Sequence, residues 1–212
     1  MIFYRLGSNL DEGTIFVGSI ADEVNCTVPI PNDCMLQGLR HFFNDSTARD
    51  IVRQYEGVPG SNDHKLAVIL RDAFFLCPSV FIADAIQARN GKAWLYQFVM
   101  KIPTWIDWDL LGNYHSLEMP FVFNNAWPPV VHFFGQRQQE MADAFGAYWT
   151  NLARFADPNG GDTPLQWPAY TRQQQEFMFM DVPLRTGAKL EAATCDFWKT
   201  RRMKFYYDDA PL

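Results

Sequence analysis

Neither a Cys-x-x-Cys nor a His-x-x-x-His spacing occurs among the four cysteines and four histidines of this 212-residue chain. That argues against a zinc site, and no motif calls for a cofactor. Basic residues are in deficit. Eighteen Lys and Arg stand against 24 Asp and Glu, and a net charge of −6 does not suit a nucleic-acid or anionic-membrane surface. The densest basic run, Arg201, Arg202 and Lys204, is closely followed by Asp208 and Asp209 and reads as a solvated face. No apolar run approaches the roughly 18 residues of a membrane span. The best, Ala73–Ala83, has 11 residues and follows Arg71 and Asp72, so no span is expected. Met1–Leu6 is too short for a signal peptide, which leaves any secretory address outside this chain. Internal repeats and low-complexity tracts are absent as well.

Aromatics are abundant, with 18 Phe, 8 Tyr and 7 Trp, enough for a thick core or a ring-lined pocket. With 48% apolar and 20% charged residues, the length fits one ordinary domain or a large piece of a bigger one. Cys26, Cys34, Cys77 and Cys195 could form two bridges in any of three pairings. Asn25-Cys26-Thr27 and Asn44-Asp45-Ser46 are glycosylation sequons. Together with the even cysteine count they lean towards secretion.

Ile2–Leu6 reads as a buried strand entering a loop at Gly7-Ser8-Asn9, which places Asp11 and Glu12 just beyond it. Pro29, Pro31, Asn32 and Asp33 mark an irregular stretch. Ser46 or Thr47 would cap a helix through about Tyr55. A longer helix begins near Asn62 or Asp63, carries Leu66, Ile69, Leu70 and Ala73 on its apolar stripe, and kinks or breaks at Pro78. Lys92–Val99 is the clearest strand, and Trp94, Tyr96 and Phe98 on it read as core. Met141, Phe145, Tyr148, Trp149, Leu152 and Phe155 trace a helix ending at Asp157-Pro158-Asn159-Gly160, and a last periodic segment runs from Leu190 to Trp198. Few strands between long helices favour an α/β or α-rich layer architecture.

His41 and His132 each precede Phe-Phe and read as core or boundary imidazoles, and His64 as an exposed helix start. His115 lies in a loop about a dozen residues past the strong strand, and Glu12 lies in the loop after the first strand. A carboxylate on one such loop can hold the second nitrogen of an imidazole on another, which fixes the tautomer of a general base. Spacing alone does not establish that pair.

Gly7-Ser8-Asn9-Leu10-Asp11-Glu12-Gly13-Thr14 resembles the acid loop of the type-B carboxylesterase and cholinesterase family. Gly112-Asn113-Tyr114-His115-Ser116-Leu117-Glu118-Met119-Pro120-Phe121 is similar to that family's histidine loop. Tyr148–Phe155, Asp157–Gly160 and Trp167–Tyr170 resemble its C-terminal helix and turn, and Phe75–Pro78 and Cys195–Trp198 its two cysteine segments. The resemblance implies Glu12 as triad acid, His115 as general base, and a Cys77–Cys195 disulfide. Cys26 and Cys34 have no counterpart, so a local bridge and two separate thiols both stay open. Phe123 and Trp127, just beyond the histidine loop, are candidates for an aromatic pocket wall, and Glu118 reads as a loop brace rather than a second acid.

By this resemblance residues 1–212 are the C-terminal portion of a single α/β-hydrolase domain, its last strands and covering helices. No Gly-x-Ser-x-Gly pentapeptide and no Gly-Gly oxyanion loop in the right segment is present. The expectation is a serine ester hydrolase at the level of a longer parent acting on a small-molecule ester, with this chain inactive alone and its partner the N-terminal half of the same domain. The alternatives are a cholinesterase-like binding or adhesion protein and a degenerate fragment.

Overall fold

The computed structural model describes residues 3–102, 111–126 and 133–201. Among them, four strands form one sheet in the order β1 (Phe3–Asn9), β2 (Lys92–Phe98), β3 (Glu176–Met180) and β4 (Arg185–Ala188). β1 and β2 run parallel over their whole length, from Phe3↔Lys92 to Asn9↔Phe98, and β3 continues the parallel set. β4 closes the sheet antiparallel to β3. β1 leads through a 3-10 turn (Thr14–Phe16) into α1 (Val17–Glu23), α2 (Asn32–Phe42), α3 (Asp45–Gln54), α4 (Asn62–Arg71), a π-helical turn (Asp72–Leu76) and α5 (Cys77–Gln87). Beyond β2 lie α6 (Met119–Val122) and α7 (Gln136–Phe155), and beyond β4 lies α8 (Ala192–Trp198).

Apart from Gln97, the buried side chains of β2 are apolar, and they point to both sides because both faces of the sheet are covered. Trp94 and Phe98 join Phe121, Met141, Phe145 and Tyr148 in one cluster. Leu95 points the other way, into the cluster that holds Leu39, Ile51, Leu66, Ile69, Leu76 and Trp198. Trp167 fastens its segment to β2 by donating its indole N–H to Leu95 O at 2.9 Å.

Several local expectations are revised. β1 runs on to Asn9 and is not buried over its first residues, with Tyr4 47% exposed; at Gly7 any Cβ would meet the Tyr96 ring of β2 at 2.3 Å. The Pro-rich stretch hides the start of α2, with Pro31 as its extended N-cap residue. Asn44, not Ser46 or Thr47, caps α3, accepting from Thr47 N at 2.9 Å. β3 and β4 carry no period long enough to stand out from sequence. His41 sits exposed in the last turn of α2 instead of at a core boundary, while His132 lies outside the described residues.

Pro78 does not break the long helix. Pro78 brings no backbone N–H, and the ladder widens just before it into the π turn Asp72–Leu76. Helix Asn62–Gln87 is thereby 26 residues long, apolar enough by length and composition to cross a membrane. Here most of it is inside the fold, with Leu66, Ile69, Leu76, Cys77 and Ala83 buried.

Cys77 bonds Cys195, joining α5 to α8, and Cys26 bonds Cys34, which resolves the open choice for that pair as a local bridge. Beside the longer bridge lies a buried polar relay. Arg71 Nε donates to Asp72 Oδ1 at 2.7 Å, Tyr55 Oη to Asp72 Oδ2 at 2.7 Å, and Trp198 Nε1 to Tyr55 Oη at 2.7 Å. Removing one partner of a buried ion pair strands the other charge away from water. Arg71→Met is therefore expected to cost about 3–5 kcal/mol in urea unfolding, whereas Trp198→Phe, apart from packing, removes one hydrogen bond of about 1 kcal/mol. Equal effects of the two substitutions would show that Asp72 does not depend on its guanidinium.

Candidate active site

Parallel strands expose their carboxyl ends on one side of the sheet, where the following loops gather functional side chains. The loop after β1 holds Glu12, and the longer connection after β2 holds His115. Leu10 N donates to Phe98 O at 3.0 Å, so the acid loop starts in register with the end of β2. Asp11 N then donates to Asn113 O at 3.0 Å, and Asn113 N returns a bond to Asp11 Oδ2 at 2.8 Å. Thr14 Oγ1 adds a bond to Leu111 O at 2.7 Å.

Two glycines are required for this approach. A Cβ on Gly13 would stand 2.0 Å from Ala67 O, so only glycine lets the acid loop lie on α4. Gly112 takes φ +55°, and a Cβ there would strike Asp11 Oδ2 at 2.2 Å. Ser116 also adopts a left-handed φ of +72°, which turns the chain back directly after His115. For a non-glycine residue that conformation stores roughly 1–2 kcal/mol.

Between these ties, His115 Nδ1 stands 2.7 Å from Glu12 Oε2, while Glu12 Oε1 accepts from Asn9 N at 2.6 Å. Glu12 is buried at 5% exposure, and the His115 side chain keeps 41%, so the imidazole is held on one edge and open on the other. Burial pushes the Glu12 carboxyl above its ordinary value of 4.5, against the opposing pull of the Asn9 N–H and of His115. With Nδ1 directed at a carboxylate, the proton belongs on Nδ1 and Nε2 is left as the basic nitrogen.

Two rings flank the imidazole. Phe75 lies 4.9 Å and Phe16 5.6 Å from it by centroid, and the two stack on each other at 6.1 Å. Behind them is a cavity of about 260 Å³ walled by Phe16, Ile20, Phe42, Leu70, Phe74 and Phe75, with Ser19 at its border. Neither ring stood out from sequence, although Phe16 lies four positions past Glu12 and Phe75 two before Cys77. Phe123 is 68% exposed at the end of α6, and Trp127 lies outside the described residues. Among the described residues no group of three or more His, Cys, Asp and Glu side chains could hold a metal ion.

The profile of the carboxylesterase family matches residues 5–198. This chain belongs to the carboxylesterase family. It is 32% identical to acetylcholinesterase of Gallus gallus over 143 residues, covering 66% of this chain and 18% of that protein. Acetylcholinesterase of Bungarus fasciatus is 27% identical over 192 residues, covering 89% of this chain and 30% of its own length. Carboxylesterase 5A of Canis lupus familiaris is 32% identical over 141 residues, 61% of this chain and 23% of the relative. A solved carboxylesterase of Geobacillus stearothermophilus superposes with a TM-score of 0.73 at 22% identity, over 93% of this chain and 40% of that structure. This chain thus has part of the family's fold, and its matches span less than a third of the length of these curated relatives.

Proposed function

We propose that Glu12 and His115 are the acid and base of a serine carboxylic ester hydrolase, and that residues 1–212 are the C-terminal portion of its single catalytic domain. The observation that carries this reading is the 2.7 Å contact between a buried carboxylate and a half-open imidazole, on loops following two adjacent parallel strands. His115 Nε2 takes the proton of a serine hydroxyl as its oxygen attacks the ester carbonyl, and Glu12 steadies the imidazolium. The proton passes to the departing alkoxide, leaving an acyl-enzyme and an alcohol. Water deprotonated by the same nitrogen then releases the acid and restores the serine. The apolar cavity behind Phe16 and Phe75 favours esters whose nearby group is uncharged.

The nucleophile and the oxyanion amides are assigned to a preceding segment. Among the described residues β1 pairs only with β2, which leaves its other edge for a strand of that segment. The two disulfides support folding in an oxidising, extracellular-type compartment, and the exposed Asn25 and Asn44 are its proposed glycosylation sites.

Residues 1–212 purified alone are expected to leave a nitrophenyl ester intact. The native protein, recovered with an antibody to the Trp149–Tyr170 region, is expected to be at least twice this mass and to hydrolyse the ester. His115-dependent turnover by the isolated chain would overturn the division of the site. A long native protein with another residue at the serine position would make the fold a recognition surface instead, and a native product of this length alone would leave a remnant without hydrolase activity.

A further inference from the structure

We propose that Asn9 is a positioning residue that sets the spacing of the acid and histidine loops by spanning them with its side-chain amide, an inference that rests on the acid–base reading of Glu12 and His115. Asn9 is the last residue of β1 and is 1% exposed. Its backbone N–H holds Glu12 Oε1 at 2.6 Å. Its Nδ2 donates across the gap to Tyr114 O at 2.8 Å and to Glu118 Oε2 at 2.6 Å. One residue thus grips the acid directly and the histidine loop at two points, one position before His115 and three after it.

The two partners reached by the side chain are a carbonyl and a carboxylate, both acceptors, so only a group with two N–H donors satisfies them together. This fixes the orientation of the amide and makes the position selective. Leucine would leave Glu118 Oε2 without its donor and Tyr114 O with Leu117 N alone, and aspartate would set a third oxygen-bearing group against them. The Asp11–Asn113 ties hold the loops on the approach to His115, and without Asn9 nothing else among the described residues bonds the acid loop to the turn beyond it. Asn9 touches neither substrate nor a reacting atom; it acts through the Glu12–His115 distance. A histidine-loop brace at Glu118 was expected from sequence, but its partner on β1 was not.

The experiment reads the tautomer of His115. In the protein carrying residues 1–212, with ¹⁵N-labelled imidazoles assigned through His115→Gln, the neutral ring is expected to show protonated Nδ1 and free Nε2. Asn9→Leu is expected to reduce the Nδ1–H population several-fold, and Asn9→Asp at least as much. Pairing Asn9→Asp with Glu118→Gln returns an N–H donor to the gap with polarity reversed, and part of the Nδ1–H signal should come back. A structural lesion alone would not be repaired in this way. An unchanged Nδ1–H population in a folded Asn9→Leu protein overturns the role of Asn9 and leaves the acid–base reading standing. If Asn9→Leu does not fold, an unchanged signal in Glu118→Ala, which leaves β1 untouched, has the same consequence. An Nε2–H tautomer in the unmodified protein overturns both.

Discussion

Glu12→Gln in the catalytically complete protein is expected to lower turnover on the order of 10⁴-fold while raising thermal stability at neutral pH. The kinetic loss follows from hydrogen bonding. The introduced amide can still accept from Asn9 N through its carbonyl oxygen, which leaves its NH₂ facing His115 Nδ1. A donor there favours the tautomer protonated on Nε2, which cannot take the serine proton, and triads altered in this way lose about 10⁴ in rate with little change in geometry. The stability gain follows from linkage. Burial holds the native Glu12 pKa above the ordinary 4.5, so the folded state binds this proton more tightly than the unfolded chain does. The corresponding stability is fully present below 4.5 and is lost as pH rises through the raised native value. Glutamine never ionises, so the melting temperature of Glu12→Gln should exceed that of the parent by a margin that opens above pH 4.5 and then levels off. Melting curves from about pH 4 to 8, beside kcat for a nitrophenyl ester, check both halves. Unchanged turnover would remove Glu12 from the mechanism, and a variant less stable at neutral pH would mean that its carboxylate is net stabilising.

Replacing both Cys77 and Cys195 by Ala should cost about 5 kcal/mol. The bridge closes a loop of 118 positions, and the chain-entropy account assigns a loop of that size about 4.9 kcal/mol. The same account gives about 2.5 kcal/mol for the Cys26–Cys34 bridge, whose ends are 8 positions apart. The longer bridge also seats Trp198 against Tyr55, so its loss should loosen the Arg71–Asp72 relay, which the shorter bridge does not touch. Urea unfolding of the two double-alanine proteins measures the difference. Equal losses from the two bridges would show that loop length does not govern their contribution.

Glu12 and His115 were legible because each sits in a local string, Asp11-Glu12-Gly13 or Tyr114-His115-Ser116, whose residue types are dictated by a tight loop and its chemistry. The Cys77–Cys195 pair, which joins two helices, was legible only through the family resemblance of the segments that hold it. β2 was legible because Trp94, Leu95, Tyr96 and Phe98 must fill both faces of a covered sheet. α4 and α7 showed their apolar periods for the same reason.

What the sequence determined by itself was therefore the α/β character and, through several strings that resemble one family in order along the chain, the family, the two ionisable partners and the long-range bridge. Tertiary structure alone decided the relations between strings. That Asn9 reaches Glu118 across 109 positions, that Phe16 and Phe75 flank His115, that Arg71 and Asp72 form a buried relay with Tyr55 and Trp198, and that Cys26 joins Cys34 all depend on which surfaces meet. Hydrogen bonds and ring contacts act over a few ångströms in space, and a one-dimensional pattern records them only where the chain itself brings the partners together.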